Sequence, residues 1–204
     1  MFMCFQVTIS DCIFEHNGPV TILKDDQYRG SAAGITIGYD DNHYNDTGTP
    51  TDTIPTGNGS VTVTGCIFRN NTNSPLLDDQ VNPHAFFSRF VFPGRGGALS
   101  LTVNSSFPFD ANIDNCLVEN NFAQSFGGGF YIAFSGYHEH LTVVNNSKFM
   151  GGHARDGGGG GLVVGFVEAG RSESFSVRLE IFNSNFTENR AVFGGGIFFL
   201  AGRK

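Results

Sequence analysis

The sequence predicts an all-β fold, a right-handed parallel β-helix (a solenoid) of about five coils with inserted loops, on three observations: its composition, two short alternating patterns, and their spacing. Composition comes first. In 204 residues there are 28 Gly, 22 Phe, no Trp and only 15% charged residues, a mixture poor in helix formers and rich in strand and turn formers. The length is that of one domain with a sizeable core, taken as 1–204. A formal charge of −7 without a basic cluster argues against nucleic acid or an anionic membrane as partner. No run approaches the roughly 20 apolar residues of a membrane-spanning helix.

Self-similarity carries the architecture. Val7-Thr8-Ile9-Ser10-Asp11-Cys12-Ile13-Phe14-Glu15-His16-Asn17 returns as Val61-Thr62-Val63-Thr64-Gly65-Cys66-Ile67-Phe68-Arg69-Asn70-Asn71. Looser copies end at Asn121, Gly152 and Asn189. Between them runs a small-residue triplet followed by apolar residues: Ala32-Ala33-Gly34, Gly96-Gly97-Ala98, Gly127-Gly128-Gly129, Gly159-Gly160-Gly161 and Gly194-Gly195-Gly196. In the second half the patterns recur every 31 to 37 residues or so, whereas in the first half insertions stretch the interval.

Alternation within one copy gives the shape of the unit. Val7 and Ile9 share a face, as do Cys12 and Phe14, but the odd step between the pairs demands a corner at Ser10-Asp11. A second corner at Glu15-His16-Asn17 leads to the triplet, whose glycines allow positive φ and close backbone approach. Each copy is thus expected to be one coil of about three short strands, stacked about 4.8 Å from the next.

Stacking would align like residues. Phe14, Phe68, Phe149 and Phe186, with Val118 in the third copy, are expected to form an inward apolar ladder. Asn17, Asn71, Asn121 and Asn189 are expected to form an amide ladder at a corner, broken by Gly152. Cys12, Cys66 and Cys116 share one position with Ser147 and Ser184. Straight stacking at about 4.8 Å exceeds the roughly 3.8 Å Cβ separation of a disulfide, which favours reduced thiols over a bridge made by a local shift. Cys4 lies outside the column and is unassigned.

The Phe-x-x-Asn motifs at 14–17, 68–71 and 186–189, coupled to Gly96-Gly97-Ala98-Leu99 and its triple-Gly variants, resemble the repeats of the polymorphic outer-membrane proteins. These are bacterial autotransported surface proteins with a β-helical passenger, within the wider pectin-lyase-like superfamily; similar repeats occur in large secreted or surface proteins of eukaryotes. The resemblance spans nearly the whole chain. It implies an extracellular or cell-surface location and a non-catalytic role in adhesion, glycan binding or scaffolding, with glycans, cell-surface proteins or further coils of a longer repeat protein as partners. The sequence as given departs from the family in three ways: Met1 to Gln6 is too short and uncharged for a signal peptide, residues 1–204 contain no translocating barrel, and the insertions at 38–60 and 72–95 lie outside the repeat. Because the patterns run to both ends without visible caps, the chain is expected to be a fragment of a longer repeat protein.

Asn-x-Ser/Thr sequons at Asn45, Asn58, Asn70, Asn104, Asn145 and Asn185 point to secretion and N-glycosylation. Asn145 and Asn185 flank inward residues and are expected to face outward.

The competing class is a lyase or hydrolase acting on acidic polysaccharides, which needs clustered carboxylates on one face. The pairs Asp25-Asp26, Asp40-Asp41 and Asp78-Asp79 lie in or beside inserted loops, and the Asn-Thr-Asp, Gly-His-Gly and Arg-Ile-Lys signatures of polygalacturonases are missing. His138 and His140 flank Glu139 without a third ligand at a recognisable spacing, which favours a surface turn over a metal site. His153, Arg155 and Asp156 precede the Gly157 to Gly161 run and read as part of a variable connection. No helix is predicted there, so the glycines do not read as a phosphate cradle. No catalytic residue, metal or cofactor is implied. Of the inserted loops, 38–60 reads as exposed, while 72–95 carries Leu76, Leu77, Phe86, Phe87, Phe90 and Phe92 and is expected to pack on the flank or meet a partner.

Overall fold

The computed structural model of the chain describes residues 2–18, 34–40, 56–73, 94–105, 107–136, 138–166 and 176–200. They are all-β, and every strand pairing among them is parallel. The first repeat contributes β1 (Phe2–Ser10), β2 (Ile13–Glu15) and β3 (Ile35–Asp40). The second contributes β4 (Thr56–Thr64), β5 (Ile67–Arg69), β6 (Thr72–Asn73) and β7 (Leu99–Ser105). The third contributes β8 (Phe109–Asp114), β9 (Leu117–Glu119), β10 (Phe122–Ala123) and β11 (Phe130–Gly136). The fourth contributes β12 (Glu139–Asn145), β13 (Lys148–Met150), β14 (His153–Gly158) and β15 (Leu162–Phe166). The fifth contributes β16 (Ser176–Phe182), β17 (Asn185–Thr187), β18 (Arg190–Phe193) and β19 (Ile197–Leu200).

Corresponding strands pair in sequence order. The first sheet runs β1-β4-β8-β12-β16, the second β2-β5-β9-β13-β17, the third β6-β10-β14-β18 and the fourth β3-β7-β11-β15-β19. Repeats two to five thus hold four strands each rather than the three expected. The additional strand is short, two residues in β6 and β10, too brief for a period-two pattern to register in the sequence. The two inserted loops also contract: residues 38–40 and 56–60 belong to β3 and β4, and 72–73 to β6. Thr56–Ser60 is turn-like in composition but is held extended by pairing with Phe2–Gln6. The remainder, 41–55 and 74–93, with the apolar residues expected to pack on the flank, lies outside the described residues.

Corners between strands are left-handed. Asp11, Gly65, Asn115, Asn146 and Asn183 occupy the first, and His16, Asn70, Asn120, Gly151 and Glu188 the second. The first glycine of each described triplet, Gly96, Gly127, Gly159 and Gly194, occupies the third. All have φ between 48° and 68°, a region that Gly, Asn and Asp enter at least cost. The second triplet glycine serves a different need: a Cβ on Gly128 would run into the Gly160 carbonyl and the His153 main chain.

One apolar core runs the length of the stack, built from inward residues of the first, second and fourth sheets. Phe14 and Phe68 stack with centroids 4.9 Å apart, and Phe149 and Phe186 at 4.7 Å. Val118 interrupts the column between Phe68 and Phe149. Phe130 of the fourth sheet fills the gap, edge-on to Phe68 at 5.0 Å and to Phe149 at 5.3 Å. The fourth sheet is apolar on its other face too, where Tyr131, Ala133 and Val163 are buried with Phe126, Phe198 and Leu200 against them, and Arg95 lies 5.1 Å from the Tyr131 ring centroid.

Candidate functional site

Polar residues that recur at matched positions are engaged within the stack. In the thiol and hydroxyl column, Cys12 Sγ donates to the Ser10 carbonyl, Cys66 Sγ to Thr64, Cys116 Sγ to Asp114, Ser147 Oγ to Asn145 and Ser184 Oγ to Phe182. Three of them also accept from the repeat before: the Cys12 N–H donates to Cys66 Sγ at 3.5 Å, Cys116 N–H to Ser147 Oγ at 3.1 Å and Ser147 N–H to Ser184 Oγ at 3.1 Å. One small side chain therefore ties its own corner and links two repeats, a job that sulfur and oxygen do interchangeably. Cys12, Cys66 and Cys116 are free thiols. Burial pushes the Cys66 thiol above its ordinary value and Cys116 to about 11, the reverse of what a nucleophilic cysteine needs.

The amide column works similarly. Asn71 Oδ1 accepts from the Asn17 N–H at 3.1 Å and from Asn17 Nδ2 at 2.9 Å, and Asn121 Oδ1 accepts the same pair from Asn71 at 3.0 and 2.9 Å. Asn71 Nδ2 donates back to the Phe14 carbonyl and Asn121 Nδ2 to that of Phe68. At the break, the Gly152 N–H donates to Asn189 Oδ1 at 2.8 Å. Gly152 has no side chain because a Cβ there would strike the Gly160 carbonyl.

His140 departs from its expected place on a surface turn. It sits on the inward face of β12, 1% exposed, with its ring stacked on Phe134 at 4.8 Å and 4°. Neither ring nitrogen has a hydrogen-bond partner, nor does Thr142 Oγ1 two residues on. Burial, with His138 nearby, pushes the His140 pKa down to about 4, so the ring is neutral at pH 7. Their matched neighbours are Phe109 and Ala111 on one side and Val177 and Leu179 on the other, which makes these two the polar intruders in an apolar column. His138 precedes the strand and is half-buried, so the two imidazoles do not form a pair of metal ligands on one surface.

His153, Arg155 and Asp156 also differ from expectation, because they lie in a strand, β14, rather than in a variable connection. Register with Phe122 and Arg190 holds His153 in an outward row, edge-on to Phe122 at 5.3 Å. The strand then shifts register between Ala154 and Gly158. Asp156 accepts a hydrogen bond from Gln124 Nε2 and lies 3.8 Å from Arg155 Nε. The run Gly157 to Gly161 is buried against neighbouring main chain and presents no open cradle.

Of the loop carboxylates, Asp25, Asp26, Asp41, Asp78 and Asp79 lie outside the described residues, and Asp40 ends β3. Among those described, Glu15 accepts from Arg69 at 2.7 Å, a hydrogen bond that holds its carboxyl below the usual range. Asp114 accepts from Asn145 Nδ2 at 3.0 Å and from Asn146 Nδ2 at 3.3 Å. Among the described residues no group of three or more His, Cys, Asp or Glu could hold a metal ion, and no helix is long and apolar enough to cross a membrane.

The outward face of the first sheet carries matched polar rows, Thr8, Thr62 and Asn112 in one and Ser10, Thr64, Asp114 and Asn145 in another. Hydroxyl, amide and carboxylate groups recurring at strand spacing can hydrogen-bond an extended polar ligand. Of the sequons, Asn58, Asn70 and Asn185 are exposed, Asn104 and Asn145 are half-buried, and Asn45 lies outside the described residues. Asn145 spends its amide on Asp114, so glycosylation there would break a bond that no exposed sequon needs to break. Two core residues are not legible in the repeat pattern: Phe130 fills a gap in another sheet's column, and His140 is a polar residue with polar flanks whose inward place shows only in its register with Phe109 and Val177. None of the known protein families, curated proteins or solved structures compared with this chain matches it.

Proposed function

We propose that the four sheets are the faces of a right-handed parallel β-helix, and that the chain is a non-catalytic extracellular or cell-surface module for adhesion, glycan binding or scaffolding. The observation that carries this reading is the parallel pairing of five repeats in sequence order, with no strand out of order among the described residues. Crossovers between parallel strands of one sheet are right-handed in nearly all proteins, which supports the hand. Matched polar residues inside the stack are consumed by structural hydrogen bonds, and burial pushes the Cys66 and Cys116 thiols above their ordinary pKa. The polar rows outside supply a surface for glycans, and exposed Asn58, Asn70 and Asn185 suit a secreted glycoprotein. Resemblance to polymorphic outer-membrane protein repeats supports the same location.

A glycan array combined with an assay on uronic-acid polymers tests the proposal. Binding without cleavage, weakened by Thr62→Ala with Asn112→Ala, is expected. Ca²⁺-dependent depolymerisation, lost on changing the loop aspartates, would replace the module with a lyase.

A further inference from the structure

His140 is the only buried histidine among the described residues, and its surroundings offer nothing to a proton. Its ring lies face to face on Phe134, with Phe109 and Val177 in register on either side. Phe109 also leans on Phe134, with centroids 6.4 Å apart, so the wall around the imidazole is hydrocarbon. Charged residues on the strands packed against it point elsewhere. Asp110 and Asp114 of β8, Glu139 of β12, and Arg178 and Glu180 of β16 all stand an odd step from the His140 row, on the outward face. β11 carries no charged residue, and its Tyr131 is buried on the other side of the fourth sheet. His138 is the one further titratable group whose charge reaches the ring, and its sign is the same. The Phe109 main chain compensates only in part. An imidazolium enclosed here would be a charge without a partner, which an apolar core excludes.

The way out is short. β11 ends at Gly136 and β12 begins at Glu139, so the imidazole–phenyl stack pins two strand ends together. His140 is the second residue of its strand, and β8 begins at its partner Phe109. Freeing the ring unpairs the first residues of β12 and leaves Thr142 to Asn145 in the ladder. The contacts of Phe130 with Phe68 and Phe149, and the Asn71–Asn121 bonds, involve none of these residues. Where each repeat touches only its neighbours, an opening of this size does not spread.

We propose that His140 is an acid-released catch: on taking up a proton its ring leaves the core, the end of β11 and the start of β12 part, and Phe134 and Phe109 are uncovered while the other ladders stay paired. Such a catch works whether or not the outer surface binds a glycan. Linkage fixes its sense. The enclosed ring refuses a proton down to about pH 4, whereas an exposed one accepts it near 6.5, so acid favours the open form between those values, by on the order of 100-fold from pH 7 to pH 4.

Amide hydrogen exchange on the unaltered chain, in rising but sub-denaturing urea at pH 7 and pH 4, tests this. Protection at Phe134, Ser135, His140 and Leu141, corrected for the acid dependence of intrinsic exchange, should fall by on the order of 100-fold, with the near-zero urea slope of a local opening. His140→Phe should abolish the fall. Thr142→Val, on the same strand and face, should keep it. Two results overturn the proposal: exchange at these four amides that follows the urea-sensitive unfolding of Phe68 and Phe149 at both pH values, since the ring would then be freed only with the whole stack, or protection that acid leaves unchanged. Should His140→Phe fail to fold, the urea slopes of the unaltered chain still decide.

Discussion

The aromatic column of the second sheet and the inward column of the first sheet each contain a break, and the stack treats the two breaks differently. At Val118 the missing ring is replaced from another sheet, because Phe130 reaches across to touch both Phe68 and Phe149. At His140 and Thr142 three buried polar atoms have no partner at normal hydrogen-bond geometry, and the Phe109 main chain beside His140 only partly offsets the effect of burial on the ring. The comparison teaches that a repeat tolerates a lost volume by borrowing it from a neighbouring face, but it has no comparable way to supply a hydrogen-bond partner inside an apolar column.

The largest effect is expected where the borrowing occurs. Phe130→Ala should cost about 3–5 kcal/mol in urea or thermal unfolding, more than the same change at partly buried Phe14, since it opens a cavity between two other rings. Equal losses at the two sites would break the idea that Phe130 completes the column.

Next comes acid. The His140 pKa is depressed from about 6.5 when unfolded to about 4 when folded, so the unfolded state binds a proton that the folded state refuses. Stability is therefore complete above about pH 6.5, falls as the pH drops from about 6.5 to about 4, and levels off below that, the loss being about 3 kcal/mol at most. Melting temperatures between pH 7 and 4 read this directly. His140→Phe should flatten that part of the profile, and Thr142→Val should be neutral or stabilising because it removes an unpaired hydroxyl.

The amide column sits between these extremes. Asn121→Ala deletes the acceptor of two Asn71 hydrogen bonds and the donor to Phe68, all buried, and should cost about 1–3 kcal/mol. Asn17→Ala, at the end of the column, should cost less. The smallest effect belongs to Cys116→Ser, which copies what repeats four and five already contain; a change within about 1 kcal/mol is expected in the same unfolding assay. Before unfolding, Cys116 should resist alkylation at pH 8, in keeping with its buried, protonated thiol.

Much of this was legible in the sequence because the repeat writes the same chemistry at the same place. The Phe, Asn and Cys/Ser columns and the corners at Asp11 and His16 follow from aligning copies, and the alternation of Val7 with Ile9 fixes which face is inward. What escaped was information that the copies do not share. Two-residue strands such as Phe122–Ala123 are too short to show a period, Phe130 belongs to a different pattern from the gap it fills, and His140 looked like a surface residue because its flanks are polar. The Asn145 sequon illustrates the same limit: alternation turned it outward, but the bond that occupies its amide comes from Asp114, a repeat away.

The register also sets how the chain can change length. Equivalent residues joined across the stack are 54, 50, 31 and 37 positions apart, yet the strands meet without slippage at the first two corners. Growth and shrinkage are thus absorbed in the connections beside the fourth strand of a repeat, while the stretch from first strand to amide corner keeps a fixed count. Duplicating a whole 31-residue unit should add one strand to each sheet, whereas adding a single residue between Ile113 and Cys116 would turn the side chains of the following strand to the opposite face.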